Sequence, residues 1–252
     1  MTGDFLALLQ KSPFPSVVGD GHNPMPLEAT TVFAFHCADG VIIGGDHRAT
    51  AGHTIFSDRT EKILELDSHS LMAIAGVPAM AFEMARTLQT AFEFYRRSQL
   101  QAMSLAAKVR ALSRLLRENL PATLQGVGAV SPVFAGVESG DPGGRPVIYF
   151  YDPLGAHFEA AAYAGSGSGT TTIKSVLHYL ETWGHPRPGE MPLDQAVILA
   201  NRLLMTAAEF DAATGGVHAE RQEFATIKLL SSRGIRTISA QEQAGFWKDA
   251  HP

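Results

Sequence analysis

The chain has 252 residues, 45% of them hydrophobic and 18% charged, enough to bury a full core as one domain. A formal net charge of −5 argues against nucleic acid or an anionic membrane surface as partner, and a single cysteine, Cys37, rules out an internal disulfide. No apolar run reaches the length of a membrane span, and Asp4, not a basic stretch, precedes the short apolar patch FLALL, so the expected compartment is the cytoplasm.

Residues 1–29 carry Pro13, Pro15, Pro24 and Pro26 around GDGHN, a composition that cannot hold a long helix or a central strand. From Thr30 the pattern changes. Val32, Ala34 and His36 alternate with Phe33, Phe35 and Cys37, which is strand periodicity, and Asp39-Gly40 supplies a tight hairpin turn. Cys37 in such a strand reads as a small core hydrophobe. The run VIIGG then delivers Asp46, Arg48 and Thr50 at alternate positions, predicted to share one face of an extended strand. Lys62 heads a further strand, KILEL. A hydroxyl, a carboxylate and a lysine on three neighbouring strands make a candidate catalytic constellation.

Ser70–Gly76 reads as a buried strand ending in glycine, and Pro78 stands where a first helical turn accepts proline. Ala81, Met84, Leu88, Ala91, Phe92 and Tyr95 mark one face of the helix that follows. A second helix places Leu105, Val109, Leu112 and Leu116 inward and Arg110, Arg114 and Arg117 outward. Strands return from Pro132, Pro146 and His157. A second helix pair carries Ile173, Val176, Leu177 and Leu180, then Ala196, Val197, Ala200, Leu203 and Ala207. Two last strands, FATIKLL and IRTIS, precede a short C-terminal helix. Strands, helix pair, strands, helix pair, strands is an α+β order, best satisfied by layered sheets covered by helices.

The ordered set Thr30-Thr31, the Gly40-Val41 hairpin, D-x-R-x-T-x-G from Asp46, Lys62, Gly76 in AIAG, Gly165-Ser166-Gly167 in GSGSG, and DAATGG from Asp211 to Gly216 resembles a proteasome β-subunit of the bacterial 20S type. The likeness runs from Thr30 to about Ile238. It implies the four-layer αββα sandwich of N-terminal nucleophile hydrolases, with residues 1–29 a propeptide and 30–252 the peptidase domain. Composition alone also allows residues 1–29 to be a disordered tail; the threonine pair favours removal at Ala29–Thr30.

The resemblance implies that Thr30 attacks the peptide bond. A threonine hydroxyl is a poor nucleophile without a base, and a freed α-amine on Thr30 supplies one, with an ordinary pKa of about 7.7–8.0. A nearby ammonium keeps more of that amine neutral. By the same likeness Lys62 is that cation and Asp46 its anchor; read alone, the two would be a surface ion pair. Ser166, Asp211 and Thr214 match the positions that support the amine. Gly76 offers its N–H to the oxyanion, beside a plain reading as a turn glycine. DAATGG also reads as a helix end, and Arg48 as structural. GSGSGTTT lacks the lysine of a phosphate loop.

Thr50 stands in the peptide-binding stretch, and Ala49, Thr60, Leu64, Ile74 and Pro78 are expected to line an apolar pocket for the residue before the cut bond. Two positions depart from the family: Ala29 replaces a glycine, and Pro78 has no N–H where backbone meets substrate. The implied partners are heptameric β-rings, separate α-subunits, an ATPase or other ring activator, and unfolded protein substrates, with no nucleic acid and no membrane. No cofactor is expected, and no metal, since the ten histidines include no HExxH or Cys/His cluster. The alternatives are a non-catalytic ring subunit and a small-molecule amidase of the same fold.

Overall fold

In the computed structural model, which describes residues 27–29, 31–51, 54–125, 128–138, 140, 143–221 and 223–250, the chain builds β1 (Leu27–Ala29), β2 (Thr31–Cys37), β3 (Gly40–Gly45), β4 (Ala49–Ala51), β5 (Thr54–Ser57), β6 (Ile63–Asp67) and β7 (Ser70–Ala73). Helices α1 (Pro78–Gln99), α2 (Leu105–Glu118) and the short α3 (Leu120–Leu124) follow, then β8 (Val133–Gly136), β9 (Val147–Tyr151), β10 (His157–Ala160) and β11 (Tyr163–Gly167). The chain closes with α4 (Thr170–Trp183), α5 (Leu193–Phe210), β12 (Thr226–Ser231), β13 (Gly234–Ile238) and α6 (Ala240–Ala250).

Strand β2 explains the layering. Phe33, Phe35 and Cys37 project to one side, against α4 and α5, while Val32 and Ala34 project to the other, against a second sheet. Both sides are buried, so the strand needs apolar residues throughout. The first sheet has the order β11-β2-β3-β12-β13 and the second β10-β9-β8-β7-β6, every neighbouring pair antiparallel. Their facing residues, among them Val32, Ala34, Val41, Ile43, Leu71, Ala73, Val133, Ala135 and Ile148, form one cluster. Met72, Ile74 and Phe134 turn to the far side and pack on Leu88, Phe92, Val109 and Leu112 of α1 and α2. Helices, sheet, sheet, helices is the four-layer α+β sandwich expected, since each sheet has two apolar faces to cover.

Close packing fixes several local choices. A Cβ on Gly44 would sit 2.4 Å from the Phe33 ring, so only glycine fits beneath that side chain. Lys108 of α2 is 1% exposed and reaches Asp67 at 2.6 Å, tying the helix layer to the β6–β7 turn. At the other end, Gln243 of α6 donates to the carbonyls of Ala225 and Ile238 and accepts from Asn201 of α5 at 2.9 Å, a buried amide lock that docks the C-terminal helix.

Three expectations need correction. Asp46, Arg48 and Thr50 do not share a continuous strand: β3 ends at Gly45 and β4 begins at Ala49. The cause is local, because Asp46 Oδ2 accepts the Arg48 N–H at 3.0 Å, a side-chain bond that displaces ladder pairing. The single strand read from His157 is two, β10 and β11, which belong to different sheets. Ala91, placed on the apolar face of α1, is exposed.

Candidate active site

Asp46 is the hub. It follows β3, is 3% exposed, and its carboxylate takes four donors: the Thr31 N–H at 2.9 Å and Lys62 Nζ at 2.6 Å on Oδ1, the Arg48 N–H at 3.0 Å and the Gly215 N–H at 2.7 Å on Oδ2. Four acceptor directions are thereby filled, which is what a buried carboxylate requires. Lys62, immediately before β6, is 1% exposed, so the pair is not a surface ion pair. Its ammonium also donates to the Arg48 carbonyl. Among the described residues, these two acceptors engage two of its three protons. Burial pushes Lys62 below the ordinary lysine value, a shift the Asp46 charge partly offsets.

Thr30 lies outside the described residues, as do residues 1–26 of the expected propeptide. Its neighbours on both sides are described. Thr31 begins β2, wholly buried, with its hydroxyl 2.6 Å from that of Thr214. Ala29 ends β1, which pairs antiparallel with β4 through Leu27 opposite Ala51 and Ala29 opposite Thr50. The segment ahead of Thr30 therefore lies as an added strand along β4, with β5 on the other side.

The second polar group gathers around Asp211, the residue that ends α5. Its Oδ2 accepts the hydroxyls of Ser168 and Thr214, both at 2.6 Å, and its Oδ1 the Ala213 N–H at 3.1 Å. Burial alone would raise this carboxyl; the two hydroxyl donors outweigh it and hold the group below the usual range. Ser168, not Ser166, makes this contact. Ser166 sits on β11 opposite Val32, one residue along the chain from the Thr31–Gly167 pairing. Thr31, Ser168 and Gly169 are the members that the sequence reading passed over. The adjacent threonines and alternating serines were visible there, but spacing does not tell which hydroxyl reaches the carboxylate. Arg48 bonds Asp58 at 2.9 Å and the Ala212 carbonyl at 3.2 Å, tying two loops together.

Gly76 has φ +104°, and a Cβ there would meet the Ala129 carbonyl oxygen at 2.1 Å. The glycine is thus required by the neighbouring backbone, whatever approaches from outside. Gly76 is bridged to Val130, and the bonds of that bridge run from the Val77 N–H to Ala129 and from the Ser131 N–H to Ala75, which leaves the Gly76 N–H outside the bridge. Pro78 opens α1 as its first residue. Of the expected pocket residues, Thr60 donates its N–H to the carbonyl of His47, next to Asp46, and Ile74 donates its N–H to the carbonyl of Lys62. Ala49 and Ile74 are each 2% exposed, Ile74 packing under α1. Thr60, Leu64 and Pro78 are half-buried and present surface.

Among the described residues, no group of three or more His, Cys, Asp or Glu could hold a metal ion, and no helix is long and apolar enough to cross a membrane. Comparison with known proteins finds that the family model described as "Proteasome subunit" matches residues 27–219. A relative named proteasome subunit beta 2, from Thermomonospora curvata, is 38% identical over 229 residues, covering 90% of this chain and 79% of its own. The proteasome subunit beta of Acidimicrobium ferrooxidans is 36% identical over 240 residues, covering 93% and 84%, and that of Streptomyces griseus 32% over 215 residues, covering 85% and 73%. With the four-layer sandwich and a match over most of its length, the chain belongs to the proteasome subunit family.

Proposed function

We propose that the chain is a catalytic β-type subunit of a proteasome core, a threonine endopeptidase whose nucleophile is Thr30. The observation that carries this reading is the dry Asp46–Lys62 pair bonded to the residue next to Thr30 through a shared oxygen, Asp46 Oδ1. An ion pair with so little solvent contact is costly to keep, and removing either partner is strongly destabilising. A role in chemistry gives a reason for so costly a pair beside Thr31.

The steps follow from these groups. Before processing, the Thr30 nitrogen is a peptide nitrogen and cannot act as base. The Thr30 hydroxyl attacks the Ala29 carbonyl, the bond to the Thr30 nitrogen breaks, and water opens the resulting ester to release residues 1–29. The pairing of β1 with β4 supports this order, since it leads the Ala29 carbonyl along the same edge a substrate would use. The freed α-amine then accepts the hydroxyl proton, and Lys62, held by Asp46, disfavours protonation of that amine and stabilises the developing alkoxide. The Gly76 N–H donates to the tetrahedral oxyanion. Collapse expels the amine product with the proton, and water hydrolyses the acyl ester.

The same reading assigns heptameric β-rings stacked on α-subunits, a ring activator, unfolded protein substrates and a cytoplasmic location. Intact mass of the purified assembly tests it: loss of residues 1–29 and a ring-sized particle are expected. Thr30→Ala should assemble, keep Met1 and hydrolyse no peptide. Active particles that retain Met1 would overturn the mechanism.

A further inference from the structure

We propose that Thr31 is a positioning residue for the reaction, its hydroxyl the middle link of a one-way hydrogen-bond chain that holds the adjoining nucleophile in register with Lys62. The inference rests on the assignment of Thr30 as nucleophile. It assigns work to a side chain that does not itself touch substrate.

Counting protons sets the direction of the chain. The Asp211 carboxylate only accepts, so Thr214 spends its single hydroxyl proton on Asp211 Oδ2 at 2.6 Å. The 2.6 Å contact between the Thr214 and Thr31 oxygens must then carry the Thr31 proton, with Thr31 donating. A lone pair of Thr31 Oγ is left as acceptor, and it receives the Gly169 N–H at 3.0 Å. Gly169 directly precedes α4, whose N-terminal end is therefore aimed at Thr31. The order is Gly169 N–H to Thr31 Oγ–H to Thr214 Oγ–H to the Asp211 carboxylate, each bond polarising the next. Thr31 is 0% exposed and Thr214 1%, so the link between the two hydroxyls is shut off from water.

The main chain of Thr31 is equally constrained. Its N–H donates to Asp46 Oδ1 at 2.9 Å and its carbonyl accepts the Asp46 N–H at 3.2 Å. Every polar atom of the residue is engaged. A peptide group is planar, so fixing the direction of the Thr31 N–H fixes the plane that carries the Thr30 Cα. Asp46 Oδ1 also takes Lys62 at 2.6 Å, so the Thr31 backbone and the cation are indexed to one atom. The hydroxyl chain stops Thr31 from rotating about that anchor. Gly169 makes this packing possible: a Cβ there would lie 2.5 Å from Thr214 Oγ and 2.9 Å from Thr31 Oγ.

Thr31→Val keeps the branched shape and removes only the hydroxyl; Thr31→Ser keeps the hydroxyl. In assembled particles hydrolysing a fluorogenic peptide with an apolar residue before the cut bond, Thr31→Val should lower kcat roughly 10–100-fold with KM little changed, as a small misplacement of reacting atoms does. Thr31→Ser should recover most of that rate. The Thr31→Val, Thr214→Val double variant should lose no more than the worse single variant, because both break one chain. A purely structural role would instead lower the fraction of assembled particles and leave kcat per processed site at the wild-type value.

Wild-type kcat in assembled Thr31→Val, or Thr31→Ser as impaired as Thr31→Val, would overturn the proposal. If Thr31→Val does not assemble, Gly169→Ala and Thr214→Val probe the chain from its two ends. Assembled particles of both running at the wild-type rate would overturn it equally. Wild-type particles that neither shed residues 1–29 nor cleave peptide would refute the Thr30 assignment itself, and this inference with it.

Discussion

Asp46 Oδ1 and Lys62 Nζ meet at 2.6 Å with the two side chains 0% and 1% exposed, a dry ion pair between the end of β3 and the start of β6. The two residues adjoin strands of different sheets, Asp46 just after β3 and Lys62 just before β6, so the contact also ties the two sheets together at this edge.

Lys62→Met should therefore separate two effects. Peptide hydrolysis should fall by roughly 10²–10³, the usual loss when a preorganised electrostatic contact is removed. Asp46→Ala leaves a buried ammonium unpaired and should cost about 3–5 kcal/mol in stability, read by denaturant unfolding. A rate for Lys62→Met within a few-fold of wild type would show that the lysine serves packing alone.

The acid and alkaline limbs should have different owners. Asp211 and Asp67 are both held below their ordinary value of 3.8; burial opposes this, and hydroxyl donors at Asp211 and Lys108 with Ser70 at Asp67 outweigh it. A carboxyl depressed in the folded state stabilises above its unfolded value and loses that contribution as pH falls through the folded one. Stability should thus decline below about pH 4, and less steeply in Asp211→Asn. Lys62 is depressed below 10.5 mainly by burial, so its charged form is lost earlier than in a free lysine. Activity should fall on the alkaline side with an apparent pKa below 10.5. A limb at or above that value in kcat profiles would contradict the role given to Lys62.

Processing should respond to position 29. Attack on the Ala29 carbonyl needs a sharply bent backbone, and an alanine Cβ costs about 1–2 kcal/mol if φ must turn positive. Ala29→Gly should speed the appearance of the Thr30 terminus, followed by mass spectrometry over time, and Thr30→Ala should block it.

Cleavage should favour apolar residues before the cut bond. Ala49 and Ile74 are apolar and buried, and Thr60, Leu64 and Pro78 carry no charge, so in the proposed pocket an incoming Arg or Glu side chain would be desolvated without a partner. A panel of fluorogenic peptides checks this, and faster cleavage after Arg or Glu would exclude the pocket assignment.

Gly44→Ala should destabilise the sandwich by roughly 1–3 kcal/mol, since the new Cβ would press into the Phe33 ring from 2.4 Å. Thermal unfolding of the assembled protein measures this, with the peptidase rate per folded site unchanged.

The layered fold was legible because its central strands are buried on both faces and its helices on one. Phe33 and Phe35 against Val32 and Ala34 gave the β2 alternation, and the spacing of Val109, Leu112 and Leu116 gave α2. The break at residues 46–48 was not legible, because it depends on Asp46 turning its own side chain back to the Arg48 N–H. The contact between Asp46 and Lys62 was expected from the family likeness, whereas residue type alone suggested a surface ion pair. The site was not readable at Ser168, where the turn from β11 into α4 decides which of two serines meets Asp211. Thr31 was hidden by its neighbour, since two adjacent threonines look alike until burial and bonding are known.

The pairing of β1 with β4 carries a kinetic consequence. A strand tethered to its own docking edge through one or two residues competes at an effective concentration on the order of millimolar, far above that of a free peptide in the micromolar range. In the proposed mechanism, while the Ala29–Thr30 bond is intact, incoming chains should therefore be turned away by occupancy as well as by the missing amine. Once that bond is cut, as proposed, the tether would be gone and the released segment would become an ordinary weak competitor that dilutes away. On the proposed mechanism, one bond cleavage would thus change both the chemistry of the site and its vacancy.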